Sequence, residues 1–391
     1  MKILTILRDE VRELFQGRWP LAALIFAVPL GFALLFGFIY AENTVKHIPL
    51  VVYDQDQSSL SRTLIKMYAD SERYTLAYQV SSQQEMEELV AADDALAALQ
   101  IPRDFSKNVK MANGSEILFL VNSTNNMFGN AALSSAQEIN RTFSVAVAQK
   151  LTEGLGVLPA AAMAMAYPVH FGIRILNNPA NGYTPFMLAG LMMNGLQISI
   201  MLIIPPLLIR ELQTRRYGKD TSALLLVIGR AIPVWCLGVL SFLLSLAVVV
   251  YGFDVPMRGS WFEATLLAGG FLFFVIGAMW LFSACSPTEV MSMQMPMLYI
   301  MPGLLYSGLS WPVFSMNAVA WWLSRLLPMT YTGDNLRDLM LAGSAPTLWS
   351  DIGQMLLIGA VMTLLAAGIF SFRRQRSYRK EDGEHAAVAN H

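Results

Sequence analysis

Residues 218–222 read Gly-Lys-Asp-Thr-Ser, which are the residue types that end a phosphate-binding loop. In such a loop the glycines expose backbone N–H groups to a nucleotide, and the lysine reaches its phosphates. The motif also requires a glycine five positions before Gly218, and position 213 is Gln. The sequence therefore argues against a nucleotide site here and predicts a charged loop with another role.

Two carboxylates, Asp54 and Asp56, have the alternate spacing that opens a calcium-binding loop. That loop would need Gly at its sixth position and Glu at its twelfth, where this chain has Ser59 and Ile65. The segment instead predicts a turn after a strand, in which Ser58 or Ser59 caps the next helix. The sequence offers no paired acids, metal-ligand cluster or activated nucleophile that would support an enzyme at the membrane surface.

The composition is that of an integral membrane protein. The chain has 391 residues, of which 55% are hydrophobic and 14% are charged, against about 25% charged in soluble domains. A net charge of −1 argues against a nucleic-acid partner, which would need a basic face. Cys236 and Cys285 lie in or beside apolar runs, so we interpret them as structural thiols rather than a disulfide framework.

The apolar runs predict six transmembrane helices. Residues 20–40 contain no charge and are long enough to cross a hydrocarbon core of about 30 Å. We interpret this run as a retained anchor; the competing interpretation is a cleaved signal peptide, whose apolar run is usually about 7–15 residues. The other predicted spans are residues 183–209, 231–251, 264–285, 291–310 and 352–372.

Residues 1–19 predict a helix that lies in the membrane interface. Leu4, Leu7, Val11 and Leu14 recur at helical spacing, and most of the charged residues lie elsewhere on the helix. The alternative is a polar extension of the first span.

Lys and Arg in the short connections predict the orientation, because positive residues are retained in the cytoplasm. With both termini inside, residues 210–230 and the tail 373–391 are also cytoplasmic. The cytoplasmic pieces then hold Lys2, Arg8, Arg12, Arg18, Arg210, Arg215, Arg216, Lys219, Arg230, Arg373, Arg374, Arg376, Arg379 and Lys380. The short outer connections hold Arg258, Arg325 and Arg337. Residues 311–345, rich in Trp, Pro and Met, predict short or re-entrant helices at the outer face, where they could gate an exit.

Residues 41–181 are long enough to form a folded domain outside the membrane. Their pattern alternates between strands and helices, which favours parallel pairing with helices packed on the sheet. The predicted strands are IPLVVYD, RYTLAYQV, ALAALQIP and EILFLVN, and a long helix is predicted over 130–154. The predicted fold is therefore a membrane α-helical protein with an inserted extracytoplasmic α/β domain.

The order of these features resembles the permease subunits of ABC-2-type exporters over nearly the whole chain. The first half of the resemblance lies in the acidic turn VVYDQDQSSLSR and the phrase AALQIPRDFSKNV. The second half lies in IRELQTRRYGKDTSALLLVIGRAIP and in YIMPGLLYSGLSWPVFSMNAVAWWLSRLLPMTYTGDNLRDLMLAG. These motifs together are specific to the superfamily and say nothing about the substrate.

The resemblance implies a coupling role for the connection between the second and third spans. In such exporters this connection docks in a cleft of a separate ATPase subunit. The candidate contacts here are Glu211, Arg215, Arg216, Lys219 and Asp220. The alternative is that these charges are topological anchors only. The chain itself would bind no cofactor, and ATP and magnesium would be held by the partner ATPase.

Polar and sulfur-containing residues in the second and fifth spans are candidates for a substrate pathway. Methionine is flexible enough to accommodate irregular apolar cargo, and Asn or Gln within a span bonds across helices. The candidates are Met193, Asn194, Gln197, Met293, Gln294, Met297 and Tyr299. Ordinary helix packing is the alternative explanation.

Three classes of function remain open at this point. The first is a subunit of an ATP-driven exporter of a lipid, drug or metabolite in a bacterial inner membrane. It would form a dimer with itself or with a paralogue, together with ATPase subunits and, in a two-membrane bacterium, a periplasmic adaptor. The second is a sensor or assembly protein whose outer domain binds a ligand or an envelope partner. The third, a secondary carrier, is disfavoured because the predicted spans lack charges near their midpoints.

Overall fold

The structure is a computed structural model that describes residues 2–111, 113–166, 176–179, 182–218 and 221–389, with positions 2, 126, 160 and 379–389 described by backbone alone. It divides into two compact units. The first, here called the helical unit, contains Met1–Asn43 and Ile175–His391, and the second, the α/β unit, is Thr44–Arg174.

The secondary structure is mostly helical with one small sheet. In chain order the helices are α1 Lys2–Arg12, α2 Trp19–Ile39, α3 Ser59–Ala69, α4 Gln83–Ala91, α5 Phe105–Lys110, α6 Asn126–Gly154, α7 Pro159–Ala166, α8 Tyr183–Ile203, α9 Pro206–Thr214, α10 Ala223–Gly252, α11 Trp261–Cys285, α12 Glu289–Ile300, α13 Ala318–Ser324, α14 Pro328–Ala342 and α15 Leu348–Ala389. The strands are β1 Ile48–Asp54, β2 Tyr74–Gln79, β3 Ala97–Ile101 and β4 Leu118–Val121.

Five helical stretches in the described part of the chain are long and apolar enough to cross a membrane. They are Trp19–Ile39, Tyr183–Thr214, Ala223–Gly252, Trp261–Cys285 and Leu348–Tyr378. The second stretch is broken between α8 and α9, because Pro205 and Pro206 have no backbone N–H to continue the helical hydrogen bonds. Each stretch overlaps a predicted span, so the multi-span prediction is confirmed for these five.

The predicted span 291–310 is not one continuous helix. The chain forms α12 and a 3₁₀ turn at Met301–Gly303, and then turns and bends until a further 3₁₀ turn at Val313–Ser315. Pro302 cannot donate a backbone hydrogen bond, and Gly308 adopts a left-handed φ of 86° that ends regular helix. Hydropathy alone does not register these two interruptions. Within the predicted segment 311–345 the chain forms α13 and α14. The location of this segment at the outer face stays a prediction.

Small residues let the long helices approach closely. A Cβ added at Gly277 of α11 would lie 2.6 Å from the Gly359 carbonyl oxygen of α15. A Cβ at Gly195 of α8 would lie 3.0 Å from the Pro29 Cα of α2. The first distance is shorter than real side chains show and the second is tighter than most, so glycine at these positions permits the close backbone contact that membrane helices commonly use.

The predicted amino-terminal helix is present, but its buried face differs from the predicted apolar stripe. Ile6, Glu10 and Leu14 are buried, whereas Leu4 is 69% exposed and Val11 is 42% exposed. Residues four apart share one helical face, so Ile6, Glu10 and Leu14 line up towards the neighbouring helices. The stripe read from the sequence left out Glu10, because an acid was not expected in a buried position.

The α/β unit contains a four-stranded sheet in the order β2-β1-β3-β4. β1 pairs in parallel with both β2 and β3, as the alternating pattern predicted. β4 pairs antiparallel with β3, so the sheet is mixed. The four predicted strands and the long helix are confirmed, although α6 begins at Asn126, earlier than predicted.

Helices cover both faces of this sheet. Leu50 and Val52 of β1 belong to one core with Leu64 of α3 and Phe143 of α6. Val51, between them, belongs to a second core with Met86 of α4 and with Ala98. Alternate side chains of a strand point to opposite faces, so this split places the sheet between two helical layers.

The acidic turn after β1 is a helix cap, as predicted. Ser58 accepts hydrogen bonds from the backbone N–H groups of Leu60 and Ser61, and the Ser61 hydroxyl accepts one from the Ser58 N–H. Asp54 accepts from the N–H groups of Asp56 and Gln57, which closes the turn.

Replacement of Ser58 by Ala is therefore expected to weaken the first turn of α3 by about 1 kcal/mol, because the orphan N–H groups lose their acceptor. Hydrogen exchange of the amides at residues 60–62 should accelerate about fivefold. Ser59→Ala is the matched control, because the Ser59 hydroxyl makes no capping bond. Equal exchange in the two variants would show that Ser58 does not hold the turn.

Candidate functional site

The charged connection between α9 and α10 is shorter than the predicted segment 210–230. Helix α9 continues to Thr214, and α10 begins at Ala223, so the connection is residues 215–222, here called the basic connection. Arg215 ends α9 in a left-handed conformation with φ of 49°. The predicted contacts Lys219 and Asp220 lie outside the described residues.

Glu211 points inward and joins a buried ion cluster. Arg230 Nη2 lies 2.7 Å from Glu211 Oε2, and Arg230 Nε lies 3.7 Å from Glu10 Oε2. The three side chains are between 1% and 6% exposed. Glu10, Glu211 and Arg230 belong to α1, α9 and α10, so this cluster fastens three helices together. In this conformation Glu211 is not a surface contact for a partner.

Burial dominates the electrostatics of the cluster. It raises the pKa of Glu10, although Arg230 and Arg18 nearby act in the opposite direction. Tyr217 donates its backbone N–H to Glu211 and its hydroxyl to Asp9. Burial, supported by the neighbouring Asp9 carboxylate, raises the pKa of Tyr217 to about 12. The Tyr217 hydroxyl therefore stays protonated and remains a donor.

The two predicted arginines of the connection bind other parts of the chain. Arg216 lies 2.9 Å from Glu13 and 3.4 Å from Asp9, and its side chain is still 45% exposed. Arg215 donates to the Ser377 hydroxyl of α15 at 2.8 Å. The basic connection is thus tied on one side to the amino-terminal segment and on the other to the carboxyl-terminal helix.

Arg374 of α15 holds the basic connection most directly, although its sequence position predicts only a cytoplasmic charge in the tail. Its guanidinium donates to the backbone carbonyls of Tyr217, Gly218 and Thr221. Arg374 is 8% exposed. Nothing in the residue pattern distinguishes Arg374 from its basic neighbours, because its role depends on where α15 packs.

These contacts bring three charged segments to one end of the helical unit. The segments are the amino-terminal helix, the basic connection and α15 near Arg374. At the other end of α10, Arg258 donates to the Leu341 carbonyl. The charged end can act as a fixed platform, on which Arg216 and Gly218 remain exposed.

The predicted pathway residues fall into three groups by their burial. Helices α8 and α12 are in contact. Most side chains of α8 are buried, whereas most side chains of α12 are not. Met193 and Gln197 of α8 are buried, whereas Asn194, Met293 and Tyr299 are partly buried. Gln294 and Met297 of α12 are exposed on the surface of the unit. The structure therefore does not gather all seven residues into one cavity of this chain.

Gln197 is the most unusual of these side chains. It is 1% exposed, and its amide nitrogen and oxygen bond to none of the described residues. Its Nε2 lies near Gly303, where an added Cβ would be 3.6 Å away. An unpaired buried amide costs about 1–3 kcal/mol, so such a group in a native fold requires an explanation. Ser199, two residues on, donates to the Leu196 carbonyl and is satisfied.

The fold and the charged end define a multi-pass membrane protein with a separate α/β unit. Among the described residues, no group of three or more His, Cys, Asp or Glu side chains is placed to hold a metal ion. The chain matches the model of the ABC-2 family transporter proteins over residues 19–367. It therefore belongs to that family, as the sequence resemblance indicated.

Relatives with descriptive names support the same assignment. The chain is 23% identical to the probable multidrug ABC transporter permease YbhR of Escherichia coli K12, over 96% of this chain and 99% of the relative. It is 27% identical to the probable multidrug ABC transporter permease YbhS of the same organism, over 42% of this chain and 46% of the relative. It is 30% identical to ABC transporter G family member 20 of Dictyostelium discoideum, over 32% of this chain and 17% of the relative.

Proposed function

We propose that this chain is the permease subunit of an ATP-driven exporter that moves an apolar or amphipathic molecule, such as a lipid, drug or metabolite. Permeases of this family work with an ATP-binding subunit. In this proposal the partner subunit holds ATP and magnesium, and the permease converts its movement into a change in the spans. The names of the bacterial relatives, which are described as multidrug permeases, support an apolar cargo.

The observation that carries the proposal is the way in which the basic connection is held. Arg374 fixes its backbone from one side, and Arg216 binds the amino-terminal segment on the other. Beneath it, the Glu211–Arg230 pair links the connection to the first turns of α10. A force applied by a soluble partner at Gly218 would therefore be transmitted to several spans at once, which is what coupling requires.

The topology proposed for this function has both termini in the cytoplasm and residues 41–181 outside, in a bacterial inner membrane. Support comes from the contacts that unite the basic segments at one end of the helical unit, because positive residues are retained in the cytoplasm. In this topology α12 and the segment after it, which ends near Ser310, form a sixth, interrupted crossing.

The exposed surface of α12 supports a dimer as the transporting unit. Met297 and Leu298 of α12 are 56% and 78% exposed, and Met301, in the 3₁₀ turn that follows, is 72% exposed. We propose that this flexible apolar face meets a second copy or a paralogue, and that cargo passes between the two α8–α12 pairs. A closed twofold pair is the common arrangement of such assemblies.

Gln197→Leu is expected to lower export, because Gln197 belongs to the proposed pathway. The amount of folded protein should stay unchanged or rise, because the change removes an unpaired buried amide. Asn194→Leu is expected to act in the same direction. The measurement is efflux of a lipophilic dye that the wild-type complex exports, with each variant quantified in the membrane. Ser199→Ala is the control on the same helix. Loss of folded protein in Gln197→Leu, rather than loss of export, would assign this residue to packing.

The proposal is tested by purifying the tagged chain from its native membrane and assaying bound ATP-binding subunit and ATP hydrolysis. Gly218→Trp should lower the bound subunit at least about tenfold, since the Cβ position is open to solvent and the indole would obstruct docking. Gly252→Trp, at the other end of α10, is the matched control. If no ATP-binding subunit is recovered with the wild-type chain, the exporter proposal fails.

A further inference from the structure

A half-open cleft of about 870 Å³ lies within the helical unit, between α8, α13, α14 and the segment that joins α12 to α13. Its apolar walls include Phe186, Leu309, Val313, Phe314 and Trp321. A space of this size falls in the range of small-molecule sites, about 300–1,000 Å³. Such sites combine apolar walls with a few placed polar groups, and those groups indicate what the site binds.

One ion pair gives the cleft its polar wall. Asp334 and Arg337 lie one turn apart on α14 and both line the cleft, and Arg337 Nη2 donates to Asp334 Oδ1 at 2.7 Å. Their side chains are 39% and 20% exposed, in the order named. The guanidinium carbon of Arg337 also lies 5.0 Å from the centroid of the Phe186 ring, a contact that favours one orientation of the guanidinium. The cleft therefore presents one negative and one positive group side by side.

Each member of the pair keeps an open hydrogen-bonding atom. Arg337 Nε and Nη1 and Asp334 Oδ2 bond to none of the described residues, and none of these atoms is closed to solvent. Gly308 leaves space for the carboxylate, because an added Cβ there would lie 2.5 Å from Asp334 Oδ2. A guanidinium fork suits a phosphate, and a free carboxylate oxygen accepts hydrogen bonds from an ammonium group. The two open positions therefore match the two charges of one zwitterion.

The mouth of the cleft is apolar. Phe314, which lines the cleft, is 90% exposed, and Trp311, between the lining residues Ser310 and Pro312, is 58% exposed. In the proposed topology this segment lies at the outer face of the membrane, where Trp side chains sit at the level of the lipid head groups. Acyl chains attached to the zwitterion would extend along these exposed side chains.

We propose that this cleft binds the head group of an outer-leaflet lipid that carries both a phosphate and a primary ammonium, with the phosphate on Arg337 and the ammonium on Asp334. Charge complementarity selects this head group. A head group with a phosphate alone would meet the Asp334 carboxylate, and like charges in contact are unfavourable. A quaternary ammonium has no N–H to donate to Asp334. Binding of this lipid requires neither ATP nor a partner subunit, so it can fail while export stands, and the reverse also holds.

The test titrates the delipidated full chain in detergent with phosphatidylethanolamine, phosphatidylglycerol or phosphatidylcholine of the same acyl chains. Native mass spectrometry measures the dissociation constant of the first lipid that binds. Phosphatidylethanolamine is expected to bind about tenfold more tightly than either of the others, as expected for one additional charge-assisted hydrogen bond. Equal affinity for the three lipids would overturn the proposal.

Matched variants test the location. Ser310→Trp fills the cleft, whereas Ser315→Trp places the same ring at an exposed position outside its lining. Affinity for phosphatidylethanolamine should fall at least about tenfold in Ser310→Trp and stay unchanged in Ser315→Trp. Asp334→Asn should abolish the preference over phosphatidylglycerol, and Asp338→Asn, on the same helix but outside the lining, should retain it. Equal affinity in the two tryptophan variants, or an unaltered preference in Asp334→Asn, would assign the lipid to another part of the surface.

Discussion

Arg230→Met is expected to destabilise the helical unit by about 3–5 kcal/mol, because it leaves Glu211 buried without its countercharge and Glu10 with Arg18 alone. The measurement is the apparent midpoint of thermal unfolding of the purified chain, which should fall by at least about 5 °C. The cluster joins α1, α9 and α10. The loss of stability in Arg230→Met should therefore appear as detachment of the amino-terminal helix before the spans separate.

Arg210→Met is the matched control for this prediction. Arg210 also pairs with a carboxylate, that of Glu289 at 3.0 Å, but the two side chains are 41% and 31% exposed. Exposed pairs contribute at most about 1 kcal/mol, so this variant should lie close to the wild type. Equal losses in Arg230→Met and Arg210→Met would contradict the importance of burial.

The loss of folding stability in Arg230→Met should also depend on pH. Burial already raises the pKa of Glu10 above its ordinary value of 4.5, and removal of Arg230 takes away a charge that acts against this rise. The folded variant then binds a proton at a pH where the unfolded chain has released it, so its stability increases as pH falls. The difference between wild type and variant should therefore shrink from pH 8 towards about pH 5. A difference that is constant with pH would exclude Glu10 as the group left uncompensated.

Arg374→Gln is expected to leave the chain folded but to lower its affinity for the ATP-binding subunit at least about tenfold. The variant loses charge-assisted hydrogen bonds to three backbone carbonyls of the basic connection, each of which contributes about 1.5–3 kcal/mol. Without them the connection no longer has a fixed shape to present to a partner. The measurement is titration of the ATP-binding subunit onto the immobilised permease, followed by an ATPase assay of the complex.

Arg376→Gln is the control for that experiment, since Arg376 is an exposed arginine on the same helix. It changes the net charge equally and leaves the carbonyl contacts of Arg374 in place. If both variants lose affinity to the same degree, general electrostatic attraction, rather than the shape of the basic connection, accounts for binding.

The membrane helices and the α/β unit were predictable because their signals are local. The length of an uncharged run such as residues 20–40 is enough to predict a membrane span. The apolar residues on both faces of β1 are enough to predict a strand in a sheet that is covered on both sides. A cap by Ser58 or Ser59 was predicted for the same reason, since the capping bond lies within four residues, and the structure assigns it to Ser58. The interruption after α12 was missed because a hydropathy average does not register Pro302 and Gly308.

The inner arrangement of the charged end was not predictable from these signals. The positive-inside rule treats Arg230 and Arg374 as equivalent anchors, whereas the fold buries both and gives them specific partners. Glu211 was predicted to contact a partner because of the resemblance to ABC-2-type exporters, and in the structure α9 turns it towards Arg230. Arg374 and Thr221 are 153 positions apart, and Glu211 and Arg230 are 19 apart on different helices, so no local pattern specifies these contacts.

In the proposed exporter the basic connection docks directly on an ATP-binding subunit. Gly218→Cys places a thiol where an added Cβ meets nothing within 4 Å, and Tyr251→Cys places one at the opposite end of α10, both in a background lacking Cys236 and Cys285. The most direct measurement is crosslinking of each variant in native membranes with a short amine- and thiol-reactive reagent. A crosslink to an ATP-binding subunit is expected from Gly218→Cys and none from Tyr251→Cys. If Gly218→Cys gives no such crosslink, or if both positions give it equally, the basic connection does not dock on that subunit.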